Sequence, residues 1–156
     1  MGWKAAALLV ENRTTADIVR EIDVFRPGSR EVEMVEAWYE LAVAQIGAWA
    51  VFFSGGKRHP DLIATLSKDT RVFAFDLNSV YTSYGFDYFV DGRCVRSAHY
   101  TERECVRSEG PMLAAERKLK VPKWGHDDDW VLAVMHRVIG VGAGDLEEAT
   151  YTVLEP

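Results

Sequence analysis

An α+β fold with a mainly antiparallel sheet follows from three features of this 156-residue sequence. Aromatic and β-branched runs fill its middle, segments with helical caps and stripes flank them, and Asp91-Gly92 joins two of the runs as a tight hairpin turn. The expectation is a single domain over residues 1–156, with five to seven strands and three to four flanking helices.

The elements follow in chain order. Lys4–Val10 is a short apolar run closed by Glu11-Asn12-Arg13, which reads as a strand. Thr14-Thr15-Ala16-Asp17 opens a helix, because a threonine oxygen caps free amides and Asp17 suits the positive helix end. Ile18, Val19 and Ile22 form its stripe, and Pro27-Gly28-Ser29 reads as a loop. Glu31–Phe53 fits two periods, helical through Val32, Val35, Tyr39, Val43 and Ile46, or alternating from Val35 to Val43. Two strands turning at Ile46-Gly47 are favoured, the alternative being a helix feeding one strand.

Ser54-Gly55-Gly56 is a loop, and Pro60 and Asp61 start a helix with Leu62, Ile63 and Leu66 inward. Arg71–Asp76 and Tyr81–Val90 are strands, and Arg93–Tyr100 returns from the hairpin. Strict alternation there puts Cys94, Arg96 and Ala98 on one face and Arg93, Val95, Ser97 and His99 on the other. Thr101–Glu109 is polar and reads as a loop. Pro111–Lys120 is a short helix with Met112, Leu113 and Leu119 inward. His126-Asp127-Asp128-Asp129 opens a last helix with the stripe Trp130, Val131, Val134, Met135 and Val138, ended by Gly140–Gly144. Thr150–Leu154 is a final strand.

The tryptophan-bearing strand Ala48–Phe53, the segment His59–Ser67 and the aromatic strand Phe86–Arg93 together resemble a family of uncharacterised actinobacterial proteins. The resemblance covers about Ala48–Arg96 and implies a bacterial, cytoplasmic domain. It implies nothing about chemistry.

Composition excludes several classes. Five Trp, six Tyr and seven Phe argue against disorder, and the longest apolar run, Ile46–Phe53, is far short of the roughly 18–20 residues that span a bilayer. Glu11-Asn12-Arg13 cuts short any signal-peptide core, so the expected location is the cytoplasm. Cys94 and Cys105 fit no zinc spacing; a disulfide between them is the alternative that the cytoplasm disfavours, and they read first as two free, small-hydrophobe thiols.

The motifs for catalysis are sparse. No phosphate loop, dinucleotide fingerprint or nucleophile elbow is present. Ser54-Gly55-Gly56-Lys57 has the residue types of an anion nest but reads first as a glycine turn. Asp127, Asp128 and Asp129, with His126 and His136, are the best metal candidates, yet neighbouring carboxylates at a helix start diverge. His126 and His136 stand about 15 Å apart along one helix. Helix capping is the favoured reading, and neither a metal nor a cofactor is expected. His99 near Asp87 suits a general base, whereas hairpin register favours an Asp87–Arg96 ion pair.

Charge is uneven along the chain. The net charge is −6, with 8 basic and 4 acidic residues in Arg93–Lys123 against 1 and 7 in Trp124–Pro156. A basic segment interleaved with glutamates argues against a nucleic-acid partner. The acidic tail and the aromatics suggest a surface for another protein, one with a basic face. The expected function is therefore a non-catalytic binding module, an interaction or immunity-type protein. Its candidate binding residues are Tyr81, Tyr84, Tyr88, His99, Asp127, Asp128 and Asp129. A small hydrolase using His and carboxylates, or a sensor with an aromatic pocket, are the alternatives.

Overall fold

The computed structural model describes residues 2–56, 59–101 and 104–156. In chain order the elements are β1 (Lys4–Glu11), α1 (Thr15–Ile22), β2 (Arg26–Val32), α2 (Met34–Ala37), β3 (Leu41–Ile46), β4 (Trp49–Ser54), α3 (Pro60–Leu66), β5 (Arg71–Asn78), β6 (Ser83–Val90), β7 (Arg93–Thr101), β8 (Glu104–Glu109), α4 (Ala114–Lys118), α5 (Asp128–Ile139), α6 (Ala143–Glu148) and β9 (Tyr151–Glu155). The nine strands form one antiparallel sheet in the order β2-β9-β3-β4-β1-β5-β6-β7-β8. The class is α+β as expected, but with nine strands and six helices among the described residues rather than five to seven and three to four. No helix of the described residues is long and apolar enough to cross a membrane.

Helices cover both faces of the sheet. Leu8, Val10, Phe52, Val72 and Ala74 meet Ile18 of α1 and Ile63 and Leu66 of α3 on one face. Leu9, Phe53, Phe73, Phe75 and Phe86 meet Trp130, Val131, Val134 and Met135 of α5 on the other, with α2, α4 and α6 alongside. A strand covered on both sides loses its polar alternation. That is why Ala5–Val10 reads as a continuous apolar run.

The two unforeseen strands share a cause. β2 and β8 are the two sheet edges, and edge strands need no buried side-chain row. Every residue of β8 is exposed, so Glu104–Glu109 carried no apolar pattern, and the expected loop is corrected to a strand. Pro27-Gly28-Ser29 is likewise strand, with a register irregularity between Pro27 and Glu31. A proline is tolerated at such an edge. The short helices α2 and α6, of four and six residues, are too brief to show a period. The Glu31–Phe53 stretch resolves into one helical turn, α2, and the two expected strands.

At the hairpin, Asp91 and Gly92 both have positive φ (50° and 78°), the conformation a two-residue turn demands. Val90 pairs with Arg93 and Phe89 with Cys94, but Tyr88 then pairs with Arg96, leaving Val95 as a bulge. One extra residue reverses the facing of everything on one side of it. Cys94 and Arg96 therefore lie on opposite faces, and Asp87 faces Ser97. The expected Asp87–Arg96 ion pair is overturned by this bulge.

Two smaller expectations also fail. Met112 is exposed rather than inward, because α4 begins two residues later. Cys94 and Cys105 form no disulfide with each other, as expected, but both are exposed rather than buried.

Candidate functional site

α5 organises a wide opening. Asp127 caps it, its Oδ1 accepting from the Trp130 amide at 2.9 Å, and Gly140 ends it in the left-handed conformation. Asp128 Oδ2 accepts from the Trp3 amide at 2.9 Å, which fastens the start of β1 to the start of α5. Ser79 closes the same corner, its Oγ and its amide both donating to the Trp3 carbonyl at 3.0 Å. Asn78 Oδ1 accepts from the amides of Val80 and Tyr81 and shapes the β5–β6 turn.

These contacts leave a cleft of about 620 Å³ at one end of the sheet. Its walls come from four stretches: Gly2 at the start of the chain, Ser79, Thr82 and Tyr84 around the β5–β6 turn, Glu104 of β8, and Trp124, His126, Asp127 and Asp128 before α5. No Lys or Arg lines it among the described residues. The volume lies within the range of ligand pockets, roughly 300–1,000 Å³. Trp124 is 66% exposed and is steadied by its Nε1 donating to Asp127 Oδ2 at 2.9 Å. Val80 and Tyr81, the latter 71% exposed, form the tip of the turn whose ends line the cleft.

Two titratable rings at the cleft stay uncharged. Burial pushes the His126 imidazole below its ordinary range against the pull of Glu116 and Asp127, so the ring is neutral at pH 7. It stacks on Tyr100 with centroids 3.5 Å apart and meets the edge of Trp130. Burial, helped by the Asp128 and Asp127 charges, raises the Tyr84 hydroxyl, which stays protonated as a donor.

The candidate residues divide. Tyr84, Asp127 and Asp128 meet in the cleft, and Tyr81 stands on the adjoining turn. Asp129 is exposed beside them and lines a separate shallow pocket with His136. Tyr88 lies further along α5, its hydroxyl accepting from Arg71, which also donates to the Val138 carbonyl near the end of that helix. His99 is on the opposite face of the sheet. Its Nε2 is 3.1 Å from Asp87 Oδ1, and Ser97 Oγ donates to that same oxygen at 2.5 Å. The serine thus gives its proton to the aspartate and not to the histidine, which is not the arrangement that activates a nucleophile. The cavity beside Asp87 and His59 holds only about 20 Å³, room for about one water.

The aspartate run converges more than its sequence position suggests. Asp127, Asp128 and Asp129 each bring an oxygen within 4.8 Å of the others. Asp127 is occupied by Trp130 and Trp124, and Asp128 by Trp3 and the Asp129 amide. Asp127 thus caps the helix and Asp128 fastens the start of β1 to it, so both carboxylates are engaged by donors of the fold. Of the proposed anion nest, Gly55 and Gly56 have positive φ, and Lys57 lies outside the described residues.

Gly2, Ser79, Thr82, Glu104 and Trp124 were not anticipated as site residues. Only Trp124, a large aromatic among turn residues, carried a local signal. Glu104 reaches the cleft through the return of β8, a long-range pairing without a local signature.

The basic and acidic segments do not form opposed faces. α4, which carries Arg117 and Lys118, packs against α5 on the same side of the sheet. The acidic character that matters is therefore the local lining of the cleft, not the sum over the tail.

The chain matches no family model, no curated protein and no solved structure.

Proposed function

We propose that this is a cytoplasmic, bacterial, non-catalytic binding module of the interaction or immunity type, which docks a basic surface of another protein. The observation that carries the reading is the cleft: three carboxylates, Glu104, Asp127 and Asp128, with no described cation among them. Exposed Tyr81, Val80 and Trp124 stand at or beside its rim. Carboxylates with no described cation beside them suit a basic partner, and amphipathic aromatics supply contact area around them. A small-ligand sensor is the second reading, supported by the cleft's volume alone.

A hexa-lysine peptide serves as the test partner. Calorimetry is expected to detect binding that weakens steeply with added salt, and a hexa-glutamate peptide is expected not to bind. The E104Q/W124A double variant is expected to bind hexa-lysine about three- to tenfold more weakly. No binding of hexa-lysine at low salt, or equal binding by the double variant, overturns the reading.

A further inference from the structure

We infer that the cleft is a guanidinium pocket, receiving one arginine side chain that projects from the partner; this rests on the docking reading above and narrows it to a residue. The acidic start of α5 alone would be a cap. The pocket arises because Glu104, from a separate strand, and Trp124 stand around it with open volume between them.

The lining offers more acceptor sites than the described donors use. Each carboxylate oxygen accepts two hydrogen bonds. Asp127 Oδ1 and Oδ2 and Asp128 Oδ1 and Oδ2 have each accepted one described bond. Among the described residues the Glu104 carboxylate has no hydrogen-bond partner. Lone pairs spread over three carboxylates suit the planar, five-donor guanidinium better than a compact ammonium.

The aromatic wall makes the same selection. A methylated ammonium is held by several rings arranged as a cage. Here the His126 ring is already stacked on Tyr100, and Tyr84 is buried. Among the described residues of the lining Trp124 is the one strongly exposed ring, a flat surface of the kind on which a guanidinium stacks. Neutral His126 adds no opposing charge.

The test is a titration of the isotope-labelled full chain, followed by amide shifts, with N-acetyl-arginine amide, its lysine counterpart and its citrulline counterpart. Citrulline keeps the shape of arginine and removes the charge. The arginine probe is expected to give saturable shifts at Gly2, Ser79, Thr82, Glu104 and the Trp124 indole N–H, with a Kd on the millimolar scale. Lysine is expected to bind at least about threefold more weakly, and citrulline not at all. Glu104→Gln is expected to weaken arginine binding about threefold at unchanged melting temperature. Citrulline matching arginine, lysine matching or exceeding it, or no cleft shifts up to about 50 mM arginine probe overturns the guanidinium assignment. If hexa-lysine still binds in the cleft while lysine matches arginine, the assignment falls and the docking reading stands. If neither hexa-lysine nor the arginine probe binds, both fall.

Discussion

Two groups of carboxylates lie on the α5 side of the sheet, and they have opposite fates. Glu116 of α4 is 3% exposed and Arg96 of β7 is 2% exposed. Arg96 Nε and Nη2 each reach a Glu116 oxygen at 2.9 Å, and Nη1 donates to Ser108 Oγ at 2.8 Å and the Gly110 carbonyl at 3.0 Å. The Leu113 amide donates to Glu116 Oε2 at 2.7 Å. That pair is finished: its charges are buried, forked and satisfied, and it fastens β8 and α4 to β7. Glu104, Asp127 and Asp128 are open, with lone pairs to spare and no described cation beside them. A carboxylate completed within the fold holds the fold, and one left incomplete at a cleft is available to a partner.

Breaking the finished pair gives the largest expected effect. Arg96→Ala leaves Glu116 buried without its cation, which costs about 3–5 kcal/mol. Denaturant unfolding measures it, and a loss below about 1 kcal/mol would remove the pair from its structural role. Next comes Gly110→Ala. Gly110 has φ of +74°, and an added Cβ would lie 2.1 Å from the Val95 carbonyl. Left-handed strain and that clash are expected to cost on the order of 1–3 kcal/mol, again by denaturant unfolding. An unchanged midpoint would mean that the β8–α4 bend adapts freely.

His126 lies between the two groups and senses both. Its folded pKa is depressed by burial, so below about pH 6.5 the unfolded chain takes up a proton that the folded chain resists. Stability from this residue is complete above that pH and is lost as pH falls. The melting temperature is expected to drop between pH 7.5 and 5.5 by more in the native protein than in a His126→Gln variant. Equal drops would assign the acid sensitivity to other groups.

The smallest stability effect belongs to the open group. Glu104→Gln is expected to change unfolding free energy by no more than about 0.5 kcal/mol, since the side chain is exposed and has no hydrogen bond among the described residues. The same variant is expected to weaken binding of a basic peptide. A variant that unfolds the protein would place Glu104 with the finished pair instead.

The sequence disclosed these two groups unequally. The cap at Asp127, the α5 stripe and the Asp91-Gly92 turn were legible, because each is written within a few neighbouring residues. Arg96–Glu116 was not, because the Val95 bulge turned Arg96 away from Asp87, and a bulge has no sure local mark. Edge strand β8 was invisible for want of a buried face, and Glu104's place in the cleft went with it. Tyr84, Asp127 and Asp128 were picked out as candidates, whereas their meeting depends on the Trp3–Asp128 and Ser79–Trp3 bonds, which join distant parts of the chain. His99 was correctly placed near Asp87, but on the face away from the cleft.

The most direct test of the open cleft is a map of backbone amide shifts as hexa-lysine is added at low salt. Shifts concentrated at Gly2, Ser79, Thr82, Glu104 and Trp124–Asp128, and fading as salt is raised, are the expected result. Shifts centred on α1 and α3, or none at all, would contradict it.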